Sequence, residues 1–228
     1  EYVPIIDWFP SRKFKEERAE SPGLLANWVP GEYEATINEN AQDIQNHLVA
    51  ATKEVILDQV GAGIDIPTDG EVRRENYIFY QCRLLSGISF SSVSKKSVDN
   101  DAFETKLPTV VGLISLPVPR LKDDWKLSQS FTKKPVKITL PGPLTIANSI
   151  VDKFYDDEKV LGVDLGEALN VEIRALAESG CPYIQVDEPM FVRKPNEALE
   201  YGVDNLERIF HGVPKEVRRV VHICCGYP

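Results

Sequence analysis

Apolar positions along this chain switch repeatedly between two periods. Ile44, Leu48, Ala51 and Val55 recur at helical spacing, and Gly61-Ala62-Gly63 marks where that helix should stop. Ile64-Asp65-Ile66-Pro67 then reads as a brief strand opening into Thr68-Asp69-Gly70-Glu71. Asn76 to Phe90 suits a helix followed by a strand, and Val110-Val111-Gly112-Leu113-Ile114 a buried strand. Val136-Lys137-Ile138-Thr139-Leu140 is another strand, ending in Pro141-Gly142-Pro143, with a helix from Leu144 toward Phe154. Asp164 with Glu167 has the spacing of a capping box. It would introduce Leu165, Leu169, Ile173 and Leu176, with Gly180 as the stop. Tyr183-Ile184-Gln185-Val186-Asp187 is the next strand. Leu199, Val203, Leu206 and Phe210 mark one more helix, and Arg219 to Cys224 a final short buried strand. At the other end, Tyr2 to Asp7 reads as a strand and Trp8 to Arg12 as the loop leaving it.

Strands that alternate with helices, apolar along their length and polar at their C-terminal ends, predict an α/β fold with a parallel sheet. No glycine-rich loop of the dinucleotide-binding kind joins a strand to its helix, which argues against that fold. In a (β/α)8 TIM barrel the chemistry gathers at strand C-terminal ends. That rule collects Glu71, Asp187, Glu188, His222 and Cys224 from three strands. About six βα units are counted, so residues 1–228 are expected to form one catalytic domain, truncated at its C-terminal end. Two further units would follow Pro228. The polar stretch 91–107 reads as an insertion. The chain also begins at Glu1 and not at methionine, as if cut at both ends.

Composition narrows the function. Acidic residues outnumber basic ones by 35 to 26, and no Lys/Arg cluster exceeds a local pair, so nucleic acid and anionic membrane are poor partners. No apolar run approaches a membrane span. Four cysteines, two of them adjacent, do not form a disulfide framework and fit a reducing, cytoplasmic setting.

His222 and Cys224 are alternate residues of a predicted strand and share a face, offering one nitrogen and one sulfur, half of a tetrahedral zinc set. A hydrogen-bonded core histidine beside a small buried thiol would look the same. Asp69-Gly70-Glu71 leaves two carboxylates beside a strand end, a pattern shared with solvated turns. Asp187, straight after an apolar strand, is suited to gripping an ammonium group. A charge favoured by a helix dipole would occupy the same place.

Taken together, these motifs resemble the catalytic domain of cobalamin-independent methionine synthase, especially its short single-domain members. The resemblance is carried by Lys134 to Lys137, Gly142-Pro143-Leu144-Thr145-Ile146, Ile184 to Pro189 and His222-Ile223-Cys224, in that order, with Asp69-Gly70-Glu71 as the acidic turn. It covers most of the chain from about Ile37. It implies a barrel methyltransferase that uses zinc to activate the thiol of homocysteine in methionine synthesis. His222 and Cys224 match two metal ligands, with a Glu and a Cys to come from later strands. Glu71 and Asp187 match the residues that hold the amino group of homocysteine, and Asp187 is the residue taken as catalytic.

The departures cluster on the methyl-donor side. Ser149 stands where folate-using members carry a tryptophan, and Arg193 falls near an expected acid. Ile6-Asp7-Trp8 replaces an Ile-Gly-Ser-type strand end, and no Arg-Cys pair precedes Leu107-Pro108. The donor is therefore left between methyltetrahydrofolate and a methyl corrinoid, with weak use of folate expected. Two other functions stay open: a catalytically silent barrel serving as a binding or assembly subunit, and a related barrel enzyme using another thiol.

Overall fold

The computed structural model describes residues 41–98 and 103–224, and the expectations placed on the N-terminal strand, its loop and Cys225 lie outside them. Helix α1 (Ala41–Gly61) buries Ile44, Leu48, Thr52 and Ile56, four residues apart, and leaves Ala51 and Val55 half-buried. It ends in the Gly61-Ala62-Gly63 turn, where Gly63 takes φ 86°. The segment after it makes no strand. A single parallel bridge joins Thr68 to Lys137.

Helix α2 (Tyr77–Leu84) starts at Asn76, whose side-chain oxygen accepts from the backbone N–H of Ile78 and Phe79 at 2.9 and 3.0 Å. Strands β1 (Ser86–Val98) and β2 (Phe103–Ser115) follow as an antiparallel pair. The stretch expected as a polar insertion is thus built largely as the outer half of a long hairpin. Ser94, Lys95 and Lys96 pair in register with Leu107, Lys106 and Thr105. The expected buried strand Val110 to Ile114 lies in β2 but is two-faced. Val110 and Ile114 are buried, while Val111 and Leu113 are exposed.

After α3 (Leu121–Gln129) come β3 (Lys137–Pro141), α4 (Pro143–Asn148) and β4 (Val151–Asp152). Helix α4 stops at Asn148, well short of Phe154, because Val151 and Asp152 pair in parallel with Thr109 and Val110. Helix α5 (Glu158–Glu178) begins a full turn and more before the expected capping box. Asp157 caps it by accepting from the N–H of Lys159, and Leu161 extends the buried stripe of Leu165, Leu169, Ile173 and Leu176 upstream. Asp164 lies inside the helix and accepts the hydroxyl of Tyr155 at 2.6 Å. Gly180, at φ 96°, closes the turn into β5 (Tyr183–Asp187). Short helices α6 (Met190–Arg193) and α7 (Pro195–Glu197) lead through a π-helical turn (Ala198–Gly202) to α8 (Val203–Ile209), then β6 (Arg218–His222). Leu199 and Val203, expected on the buried face of that last helix, are exposed, whereas Phe210 is buried.

The described strands form two three-stranded sheets, ordered β1-β2-β4 and β3-β5-β6. The second is parallel throughout. Among the described residues it holds three parallel strands and the bridge at Thr68, fewer than the six βα units expected. Of the three others, Val110 to Ile114 went into the antiparallel pair, Ile64 to Pro67 made no strand, and Tyr2 to Asp7 lies outside the described residues. The architecture is mixed α/β. In β3 and β5, Ile138, Leu140, Ile184 and Val186 are fully buried on one face, while Lys137, Thr139, Gln185 and Asp187 occupy the other. Among the described residues no helix is long and apolar enough to cross a membrane.

Candidate active site at the strand ends

Parallel register brings the polar strand ends into line. Pro141 pairs with Asp187, and Asp187 with His222. Beyond the strands, Gly142 N–H donates to the Asp187 carbonyl and Glu188 N–H to the His222 carbonyl, both at 2.9 Å. The bridge pairs Thr68 with Lys137 at the start of β3, and the Asp69-Gly70-Glu71 turn that follows brings Glu71 alongside Thr139, midway up that strand. Asp187 and His222 therefore stand at the C-terminal ends of neighbouring parallel strands, and Glu71 reaches the polar face of β3 from the turn beside it.

The acidic turn is tightly made. Gly70 takes φ 67°, and a Cβ there would lie 2.4 Å from Val55 Cγ1, so only glycine fits. Glu71 itself takes φ 55°, uncommon outside glycine. The Asp69 carboxylate accepts Glu71 N–H at 3.1 Å, and the Thr68 hydroxyl accepts Gly70 N–H at 3.2 Å. Arg74, with its side chain 2 % exposed, donates to Asp69 Oδ2 at 3.3 Å, Glu71 Oε1 at 3.2 Å and Thr139 Oγ1 at 2.9 Å. Thr139 in turn donates to Glu71 Oε1 at 2.6 Å.

Asp187 is 8 % exposed, and its Oδ1 accepts Gln185 Nε2 at 2.7 Å. Lys137 Nζ holds the other end of that amide, donating to Gln185 Oε1 at 2.6 Å. Burial raises the Asp187 pKa and the Glu71 charge adds to the rise. The Gln185 hydrogen bond, His222 and Arg74 oppose it.

Glu188, the next residue, has a different job. It is fully buried, accepting Leu144 N–H and Thr145 N–H at 3.0 Å each and the Thr145 hydroxyl at 2.7 Å. It occupies the N-terminus of α4, where free N–H groups favour a carboxylate. Burial nevertheless lifts its pKa to about 7 against those bonds. Gly142 makes room for it, since a Cβ there would fall 2.1 Å from Glu188 Oε1. Of the residues collected from the sequence, Glu188 is thus committed to scaffold.

His222 and Cys224 close the row on the far side. A buried strand was expected to carry both, but β6 stops at His222 and Cys224 lies two residues beyond it. Strand β6 is also an edge among the described residues, hydrogen-bonded only to β5, with Val221 41 % and Ile223 51 % exposed. His222 is exposed and Cys224 half-buried with a free thiol. An imidazole and a thiol two residues apart are suitable donors for half of a tetrahedral zinc set. Among the described residues, no group of three His, Cys, Asp or Glu side chains is placed to hold a metal.

Four contributors went unnoticed in the sequence: Arg74, Thr139, Gln185 and Tyr77. The Tyr77 phenol is half-buried, and its pKa is driven above the ordinary range by burial and then by Asp187, Cys224, Glu71 and Glu188. Strand alternation signals Thr139 and Gln185, which share a face with Asp187 across paired strands. Nothing in the local sequence distinguishes Arg74 from Arg73.

Comparison with known proteins follows the same lines. Residues 31–224 match the family model described as cobalamin-independent synthase, catalytic domain. The methionine synthase of Saccharolobus solfataricus is 36 % identical over 191 residues, covering 83 % of this chain and 54 % of that protein. The methionine synthase of Sulfolobus acidocaldarius is 33 % identical over 189 residues, with 82 % and 54 % covered. A B12-independent methionine synthase from a Shewanella species, solved in complex with selenomethionine, superposes with a TM-score of 0.76 at 32 % identity, over 82 % of this chain and 54 % of that one. A putative vitamin-B12 independent methionine synthase from Listeria monocytogenes shares the fold at a TM-score of 0.66 and 18 % identity, over 98 % and 64 %. The chain spans about half the length of the curated relatives it matches.

Proposed function

The chain belongs to the cobalamin-independent methionine synthase family through its catalytic domain, and on that premise we propose that it transfers a methyl group to the thiol of homocysteine, as part of an incomplete (β/α)8 barrel. The observation that carries this reading is a pair of carboxylates on one polar face, Glu71 held by Thr139 of β3 and Asp187 at the end of the paired strand β5. Glu71 and Asp187 each have one oxygen fixed by protein donors, and the other makes no bond among the described residues. Two such acids suit the ammonium of an amino acid, because a charge-assisted hydrogen bond to each needs no protonation change. Asp187, aligned with His222 across β5 and β6, would hold the substrate's amino end next to the imidazole and thiol.

His222 and Cys224 would hold zinc, with further ligands from elsewhere in the full-length protein. When bound, zinc supplies a lowered thiol pKa, keeping the sulfur as the thiolate nucleophile at neutral pH. In the transfer, the substrate sulfur forms a bond to the methyl carbon as the donor's bond to that carbon breaks. The thiol proton goes to solvent. Asp187 and Glu71 orient the acceptor, and Tyr77 and the buried Arg74 side chain exclude water around them. The substrate thiol and the free cysteines 82, 181 and 224 fit a reducing, cytoplasmic setting.

The donor is methyltetrahydrofolate or a methyl corrinoid. Ser149 turns its hydroxyl back to the Thr145 carbonyl at 2.8 Å and offers no aromatic surface for a pterin. The test is methionine formation by the full-length protein supplied with each donor. Expected is methionine from homocysteine with clearly faster turnover on the corrinoid. Efficient folate turnover would overturn the donor preference, and no methionine from either donor would overturn the function.

A further inference from the structure

We infer that Arg74 and Thr139 are positioning residues for Glu71, setting its free oxygen toward the ammonium of the substrate. The inference rests on the proposed role of Glu71 in binding that amino group. Glu71 is a poor candidate for unaided recognition. Its side chain is 38 % exposed and its backbone takes φ 55°. A free glutamate at such a place would lose rotamer entropy on gripping a ligand.

Both donors that hold it converge on the same atom. Arg74 Nη1 reaches Glu71 Oε1 at 3.2 Å and Thr139 Oγ1 donates to it at 2.6 Å, while Arg74 also donates to Thr139 Oγ1 at 2.9 Å. The three groups form a closed triangle, so the carboxylate cannot turn without breaking two bonds. Glu71 Oε2 makes none among the described residues. Fixing a binding group before the ligand arrives lowers the ordering cost of association.

The arrangement also preserves the charge it needs. A guanidinium beside Glu71 alone would cancel the carboxylate and weaken its pull on an ammonium. Asp69, buried like Arg74, takes a second face of that guanidinium at 3.3 Å. Asp69, Arg74 and Glu71 together carry one net negative charge. Asp187 is treated in the same manner by a neutral donor, since Gln185 fixes Oδ1 and adds no charge. Thr139 and Gln185 are register partners on β3 and β5. One row of the sheet therefore orients both acids.

The experiment compares binding of L-methionine with that of 4-(methylthio)butanoate, which lacks only the ammonium, by calorimetry on the full-length protein. Thr139→Val keeps the shape and removes the hydroxyl. The expected result is about a tenfold weaker Kd for methionine, and a Kd for the des-amino acid unchanged within about twofold. Thr139→Ser should return methionine binding to near the wild-type value. Arg74→Lys, which keeps the charge and loses the fork, should reproduce the valine pattern. A general structural role would weaken both ligands alike, and that result, or no effect on either, would overturn the inference. Wild-type protein that bound both ligands equally would instead overturn the amino-binding reading on which it stands.

Discussion

Asp187 and Glu188 are adjacent carboxylates at the end of one strand, and their fates differ completely. Glu188 spends both oxygens on the N-terminus of α4, whereas Asp187 spends one on Gln185. Strand alternation decides it. Asp187 continues the polar face of β5, and Glu188 turns toward the face where Ile184 and Val186 are buried. A carboxylate at a strand end becomes available for binding only when the protein leaves some of its hydrogen-bonding capacity unused.

The largest expected effect breaks that pair apart. Glu188→Ala should destabilise the protein by about 3–5 kcal/mol, since it strands two N–H groups and a hydroxyl in a buried site. Asp187→Asn should change stability by no more than about 1 kcal/mol while raising the KM for homocysteine roughly 30-fold, through loss of a charged partner for the ammonium. Chemical unfolding and steady-state kinetics on both variants check this. Equal stability losses would erase the distinction.

A smaller effect sharpens it. Glu172, in the middle of α5, does for α3 what Glu188 does for α4. It accepts Arg120 N–H and Leu121 N–H at 2.9 and 2.8 Å, and its pKa is likewise lifted by burial to about 7. For both glutamates the folded state keeps the proton through a range where the unfolded chain has lost it. Stability should therefore fall as pH rises from about 4.5 to about 7, by at most on the order of 3 kcal/mol per group. Unfolding midpoints across that range should show the decline, and Glu172→Gln should make it shallower. A rise in stability with pH that the Glu172→Gln variant left unaltered would contradict the assignment.

Much of this was legible in the sequence where the pattern was local. The apolar runs of β3 and β5 and the stripe from Leu165 to Leu176 were read correctly because burial on a regular element leaves a period. The strand-end rule also picked Asp187 and His222, which the register sets side by side at the ends of β5 and β6, while Glu71 comes from a turn that reaches Thr139 in the middle of β3. What failed depended on distant partners. The Asp164 capping box was displaced because Asp157 caps earlier and Leu161 prolongs the stripe. The stretches 91–98 and 103–107, which belong to paired strands, read as an excursion because exposed strands carry polar residues on their outer positions. Arg74 was invisible because its value lies in meeting Asp69, Glu71 and Thr139 at once, and Thr139 is 65 residues away. The exposed edge at β6 was misread as buried, since two valines look alike in a core strand and an edge strand.

That edge carries the central claim, that His222 and Cys224 are metal ligands of a thiol methyltransferase. The most direct test is elemental analysis of zinc in the full-length protein and in its Cys224→Ser and Cys225→Ser variants. About one zinc per chain is expected in the wild type and in Cys225→Ser, with none retained by Cys224→Ser, whose fold should be intact because the position is half-exposed. Full zinc in Cys224→Ser together with its loss from Cys225→Ser would contradict the assignment.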